Sequence, residues 1–108
     1  MLPNFKTGSV FHEDKRFHVA IAELENAVIA LFWEGNNPRL GTLTTILPDG
    51  SSSLLLGDRN QQLGLILGTQ IATHTGKLIV VSTYFPSLTG EAVVKKLIIL
   101  VKSILEGK

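Results

Sequence analysis

The chain has 108 residues, ten basic and nine acidic, with a formal net charge of +1; 44% of it is hydrophobic, 18% is charged, and it contains no cysteine. This composition excludes a disordered chain, a disulfide scaffold, a thiolate zinc site and a cysteine nucleophile, and no charge field marks nucleic acid or an anionic membrane as the partner. The length fits a single domain over residues 1–108, and so little charge on so small a domain suggests that part of its surface is covered by something else.

Met1 to Lys6 has no long apolar stretch and does not read as a signal peptide. Residues 6–12 are read as an added edge strand. Phe17 to Leu24 reads as a strand with Phe17, Val19 and Ile21 on one face and His18, Ala20, Ala22 and Leu24 on the other. Glu25-Asn26 is a turn too short for a crossover, so Ala27 to Trp33 returns antiparallel. That run is the longest purely apolar one and cannot span a bilayer. Gly35-Asn36-Asn37-Pro38 is a turn cluster, Leu40 to Leu47 the next strand, Pro48-Asp49-Gly50 a break, and Ser52 to Leu56 a short strand.

At Gly57-Asp58 the period changes. Leu63, Ile66, Leu67, Gln70 and Ile71 recur at helical spacing, with Asp58 or Asn60 as N-cap and Gly76 as stop. Gly64 and Gly68 inside that helix each cost about 1 kcal/mol against alanine, which implies close packing of helix backbone on a sheet. Lys77 to Phe85 is a strand apolar on both faces, ended by Pro86. Ser87 or Thr89 caps a last helix that begins near Glu91, runs through Val93, Leu97, Val101 and Ile104, and ends at Gly107. The fold class is therefore α+β: an antiparallel-dominated sheet of five or six strands with two helices on one face, in the order β-β-β-β-α-β-α.

Two helices cover one face of a sheet. The other should alternate with polar residues, yet the second strand is apolar on both sides. A subunit interface formed by Ala27, Ile29, Leu31 and Trp33 is the expectation, with tryptophan favoured at such contacts. The alternative is that strand twist and the N-terminal segment hide this face. On the last helix Lys95, Lys96, Lys102, Ser103 and Glu106 form a polar arc with Ile99 in its middle. Lys95, Ile99 and Lys102 are the candidate contact for a partner, lysines steering and isoleucine anchoring.

Chemistry-bearing patterns are weak. His12-Glu13-Asp14 points in alternate directions and converges on no metal. His18 reads as a half-buried or interface histidine, and His74 sits in the last turn of the first helix. Ser51-Ser52-Ser53 lacks a nucleophile elbow. Thr75-Gly76-Lys77 lies between helix and strand, the wrong context for a phosphate loop. No catalytic, cofactor or metal residues are expected, and the chain is read as not an enzyme.

Phe17-His18-Val19, Leu31-Phe32-Trp33-Glu34-Gly35, and Ser53-Leu54-Leu55-Leu56-Gly57-Asp58 followed by a helix ending in Thr75-Gly76-Lys77 occur in one order over residues 4–106. In that order they resemble the proteasome assembly chaperone 3/4 family, the chaperone 4 type above all. Gly41-Thr42-Leu43 is similar to the chaperone 3 type, while a shorter N-terminal segment and the helix glycines depart from the pattern. The resemblance implies a cofactor-free chaperone that dimerises through its sheet, with a chaperone 3-type subunit as a heterodimer or with itself. It implies binding to α-subunits of the 20S proteasome during α-ring formation, in the cytoplasm and the nucleus. The alternative reading is a dimeric profilin-like or roadblock-like adaptor scaffolding a small GTPase.

Overall fold

The computed structural model describes residues 4–57, 61–87 and 90–106. Strands β1 (Lys6–His12), β2 (Lys15–Glu23), β3 (Ala27–Glu34), β4 (Thr42–Ile46) and β5 (Ser52–Leu56) precede helix α1 (Gln61–Thr75), strand β6 (Leu78–Tyr84) and helix α2 (Glu91–Leu105). They form one mixed α+β layer pair, a six-stranded sheet in the order β1-β2-β3-β6-β4-β5. The segment 6–12 is thus a full strand that extends the sheet instead of covering its open face.

β1 to β3 form two successive hairpins. The first turn, Glu13-Asp14, has φ of 51° and 66° at its two central residues, the positive values that a two-residue hairpin needs to follow strand twist. The second is closed by the Leu24 N–H, which donates to the Ala27 carbonyl at 2.7 Å. β6 then enters between β3 and β4, parallel to β3 from Ala27↔Leu78 to Trp33↔Tyr84 and antiparallel to β4. A parallel neighbour needs a long crossover, which the β4–β5 hairpin and α1 supply. Apolar on both faces, β6 takes a central place.

Both helices lie on one side. That face carries Phe17, Val19 and Ile21 from β2, Val28, Ala30 and Phe32 from β3, and Ile79 and Val81 from β6, all in one core with Leu67, Ile71, Leu97 and Val101 of the helices. Gly68 acts as expected, since a Cβ there would stand 2.1 Å from Ile46 Cδ1, whereas one on Gly64 would meet Thr44 Oγ1 at 3.2 Å and needs only a small shift. Gly76, at φ +69°, ends α1 with its N–H on the Ala72 carbonyl. The N-cap of α2 is Gly90, without a side-chain cap; Ser87 is not the cap, since its N–H and hydroxyl both bond the Glu34 carboxylate. The expected caps Asp58, Asn60 and Thr89 and the stop at Gly107 lie outside the described residues.

Candidate interaction face

The strand alternation that sends Val28, Ala30 and Phe32 under the helices sends Ala27, Ile29, Leu31 and Trp33 to the opposite face. Among the described residues no helix covers that side. Register places Ala22, Ile29 and Val80 in one cross-strand row, and Ala20, Leu31, Ser82 and Leu43 in the next. The floor is small and apolar: Ala20, Ala22 and Ala27 are buried, while Ile29, Leu31, Leu43 and Val80 keep part of their surface exposed.

A third row, Ser9, His18, Trp33 and Tyr84, closes one end of the face. The His18 and Trp33 rings stack with centroids 5.1 Å apart and planes 12° from parallel. The Arg39 guanidinium lies 5.6 Å from the Tyr84 ring centroid. Gly41 brings that segment onto the sheet: its N–H donates to Ser82 Oγ at 2.9 Å, and a Cβ there would overlap the Thr83 carbonyl at 2.0 Å. Only glycine fits so close an approach. Pro38 lines a shared hollow with His18 and Trp33. Two polar atoms are buried here without a hydrogen-bond partner, His18 Nε2 and Trp33 Nε1. Burial of the ring and, secondly, the Arg16 charge hold the His18 pKa below its usual value, against a backbone hydrogen bond at Gly35 that raises it.

The four residues read from sequence as an interface thus share the helix-free face. They do not contribute equally. Ala27 and Trp33 are 9% and 8% exposed within the chain itself, so their remaining surface is small. Ile29 and Leu31 carry the accessible area, together with Leu43, Val80 and Tyr84, which sequence reasoning did not name. Their place depends on β6 lying between β3 and β4, and no local pattern encodes that slot.

Lys95, Ile99 and Lys102 are exposed on the outer side of α2, Ile99 at 70%. That surface is opposite the open sheet face. Lys95 stands 3.8 Å from Glu91 one turn earlier. Lys96 differs from its neighbours: its ammonium donates to the Phe11 carbonyl at 2.9 Å and lies 3.3 Å from His12 Nδ1.

Other polar clusters have structural partners. Lys77 donates to the Glu23 carboxylate at 2.8 Å and to the Leu24 carbonyl at 2.6 Å, tying β6 to the β2–β3 turn. The Ser51 N–H and hydroxyl bond the Asp49 carboxylate, and these bonds, the backbone one first, hold its pKa below the usual value. Among the described residues no group of three or more His, Cys, Asp or Glu side chains is placed to hold a metal ion.

No family model and no curated protein sequence matches the chain. A solved structure described as a novel chaperone complex for yeast 20S proteasome assembly has a chain with a similar fold. The TM-score is 0.73 at 13% sequence identity, over 97% of this chain and 99% of that one.

Proposed function

We propose that this protein is a non-catalytic chaperone of 20S proteasome assembly, of the chaperone 3/4 kind and the chaperone 4 type within it. The observation that carries the reading is end-to-end likeness in fold to a chain of a yeast proteasome-assembly chaperone complex. The apolar, helix-free sheet face supports it, because such a patch suits a second subunit. In this reading the open face pairs with the sheet of a chaperone 3-type subunit, or of a second copy. The dimer binds proteasome α-subunits, stabilises an early α-ring intermediate, and is displaced when later subunits compete for its surface. It works in the cytoplasm and the nucleus without a cofactor. The fold match does not favour a small-GTPase adaptor.

The mechanism rests on two surfaces. Sheet-to-sheet packing buries Ile29, Leu31, Leu43 and Val80 against the partner. The outer side of α2 is left to face the client, where Lys95 and Lys102 steer and Ile99 anchors. Co-expression with a chaperone 3-type protein, sizing, and pull-down with a panel of α-subunits test both. Ile29→Asp is expected to give a folded monomer, because the side chain is only partly buried in the single chain. Ile99→Ser with Lys95→Glu is expected to keep the dimer and weaken α-subunit capture, most strongly at low salt. A dimer unaffected by Ile29→Asp would refute the sheet pairing. α-Subunit capture unaffected by the double variant would remove α2 from the client surface.

A further inference from the structure

The two edges of the sheet are built differently. β1 forms one edge, and it is blunted. It begins at Lys6, and at its other end the Lys96 ammonium takes the Phe11 carbonyl at 2.9 Å. The Gly35 N–H reaches the Arg16 carbonyl, so Arg16 turns its backbone toward β3. Phe11, opposite Arg16, therefore turns its own backbone outward. Lys96 caps an edge acceptor.

β5 forms the other edge, and no described lysine caps its outward groups. Its sequence, Ser-Ser-Leu-Leu-Leu, has neither the charge nor the proline that blunts many natural edges, and a bulge at Leu55, left between the pairs Thr44↔Leu54 and Leu43↔Leu56, confines the regular edge to its first three residues. Its inner side bonds β4, and no described strand lies beyond it. The Leu47 N–H donates to the Ser51 carbonyl at 2.8 Å. From that pair the antiparallel ladder alternates, so Ser52, opposite Ile46, and Leu54, opposite Thr44, direct their N–H and C=O groups outward. Leu47, Leu54 and Leu55 flank this row and are 46%, 39% and 59% exposed.

We propose that the outer edge of β5 accepts an extended, uncharged segment of another protein as an added strand. A row of alternating backbone donors and acceptors is matched by another backbone, and leucines on both sides of the row favour apolar side chains at alternate positions of the segment. The size of the edge argues against a second copy of this chain as occupant. Five residues are far short of the roughly 20–30 per side that a stable protein–protein interface uses. The edge suits a short segment of a protein held elsewhere as well. This site is separate from the open sheet face and does not depend on sheet pairing.

The test uses the whole chain and a defined probe: an acetylated, amidated seven-residue peptide alternating valine and serine. A control peptide of the same sequence carries N-methyl groups on alternate backbone nitrogens of the pairing edge. Amide shifts and hydrogen exchange are followed up to about 5 mM peptide, a range that detects millimolar affinity. The expected result is exchange at the Ser52 and Leu54 amides slowed about sixfold at about 5 mM probe for a Kd of about 1 mM, the factor being one plus the ratio of probe concentration to Kd, with no effect from the N-methylated peptide. Leu54→Pro removes an outward donor and is expected to abolish the effect. Leu55→Lys, which keeps the backbone intact, is expected to weaken it several-fold. Equal binding of the N-methylated peptide, or no change at Ser52 and Leu54, overturns the proposal. Slowed exchange that grows with protein concentration without peptide also overturns it, because β5 would then be pairing with its own copy.

Discussion

Replacing Gly68 by alanine separates two opposed effects whose sizes the structure sets. In a helix interior alanine is favoured over glycine by about 1 kcal/mol. Against that gain, the new methyl would stand 2.1 Å from Ile46 Cδ1 and 2.9 Å from Val81 Cγ2. The first is over an ångström shorter than an ordinary contact and the second about half an ångström shorter, and both neighbours are fully buried. Ile46 Cδ1 can move only by a rotamer change within the packed core, and the β-branched Val81 must give way as well. Overpacking of this kind costs about 1–3 kcal/mol, and the closeness of the contact points to the upper end. The net expectation is a loss of about 1–2 kcal/mol, or roughly 5–10 °C in Tm for a domain of this size. Gly64 is the internal control. A Cβ there would lie 3.2 Å from Thr44 Oγ1, a few tenths of an ångström too close. Gly64→Ala is expected to be neutral or stabilising by about 0.5 kcal/mol, the helix gain matching or exceeding the small strain. Urea unfolding of both variants, with unchanged m-values, measures the difference. Gly68→Ala as stable as Gly64→Ala would refute the reasoning that glycine sets the helix–sheet distance.

Glu13 and Asp14 hold the left-handed backbone of the first hairpin turn, which L side chains other than asparagine and aspartate rarely adopt. Glu13→Asn with Asp14→Gly is expected to raise stability by about 1 kcal/mol, read from the urea midpoint. His18 has a folded pKa below its unfolded value. Below pH 6.5 the unfolded chain binds the proton first, so stability is full above that pH and falls as pH drops toward the depressed value. His18→Gln should flatten the urea midpoint between pH 7.5 and 5 relative to the parent; an equal slope in both would refute this assignment. Lys77→Met removes the ammonium from Glu23 and the Leu24 carbonyl and is expected to destabilise by about 1 kcal/mol by thermal unfolding.

The β2–β3 hairpin was legible because its link is two residues long and both flanking runs are apolar. The close seat of α1 was legible because two glycines four residues apart are costly unless something needs the space. The slot of β6 was not. Parallel pairing across an intervening hairpin and helix leaves no local mark, so nothing along the sequence places β6, and not β4, beside β3. The Glu13-Asp14 turn was hidden for a different reason: no glycine or asparagine marks it, and Glu13 is a residue that positive φ rarely selects. Trp33 sat on the expected face, but its cover comes from His18 across the strand pair and from the Pro38 segment. Alternation along one strand cannot report what a loop folds over.

The distribution of charge says more about the open face than its total does. A sheet covered on one side could carry lysines and glutamates on the other at little cost, and antiparallel sheets usually do. Here Glu13, Asp14, Lys15 and Arg16 crowd the first hairpin, and Glu91, Lys95, Lys96 and Lys102 lie along α2. The centre of the open face instead holds Ala20, Ala22, Ile29, Leu31 and Val80. The alanines make a flat floor that a second sheet could approach at the usual spacing of about 10 Å, and the larger aliphatic residues stand above it as knobs. The face is also directional. One end is aliphatic, and the other is the row of Ser9, His18, Trp33 and Tyr84 with Arg39 beside it. A partner sheet turned end for end would bring its aliphatic surface onto the buried polar atoms of His18 and Trp33, or leave the aliphatic end against its own polar row. Such asymmetry would favour one orientation of any sheet that packed on this face.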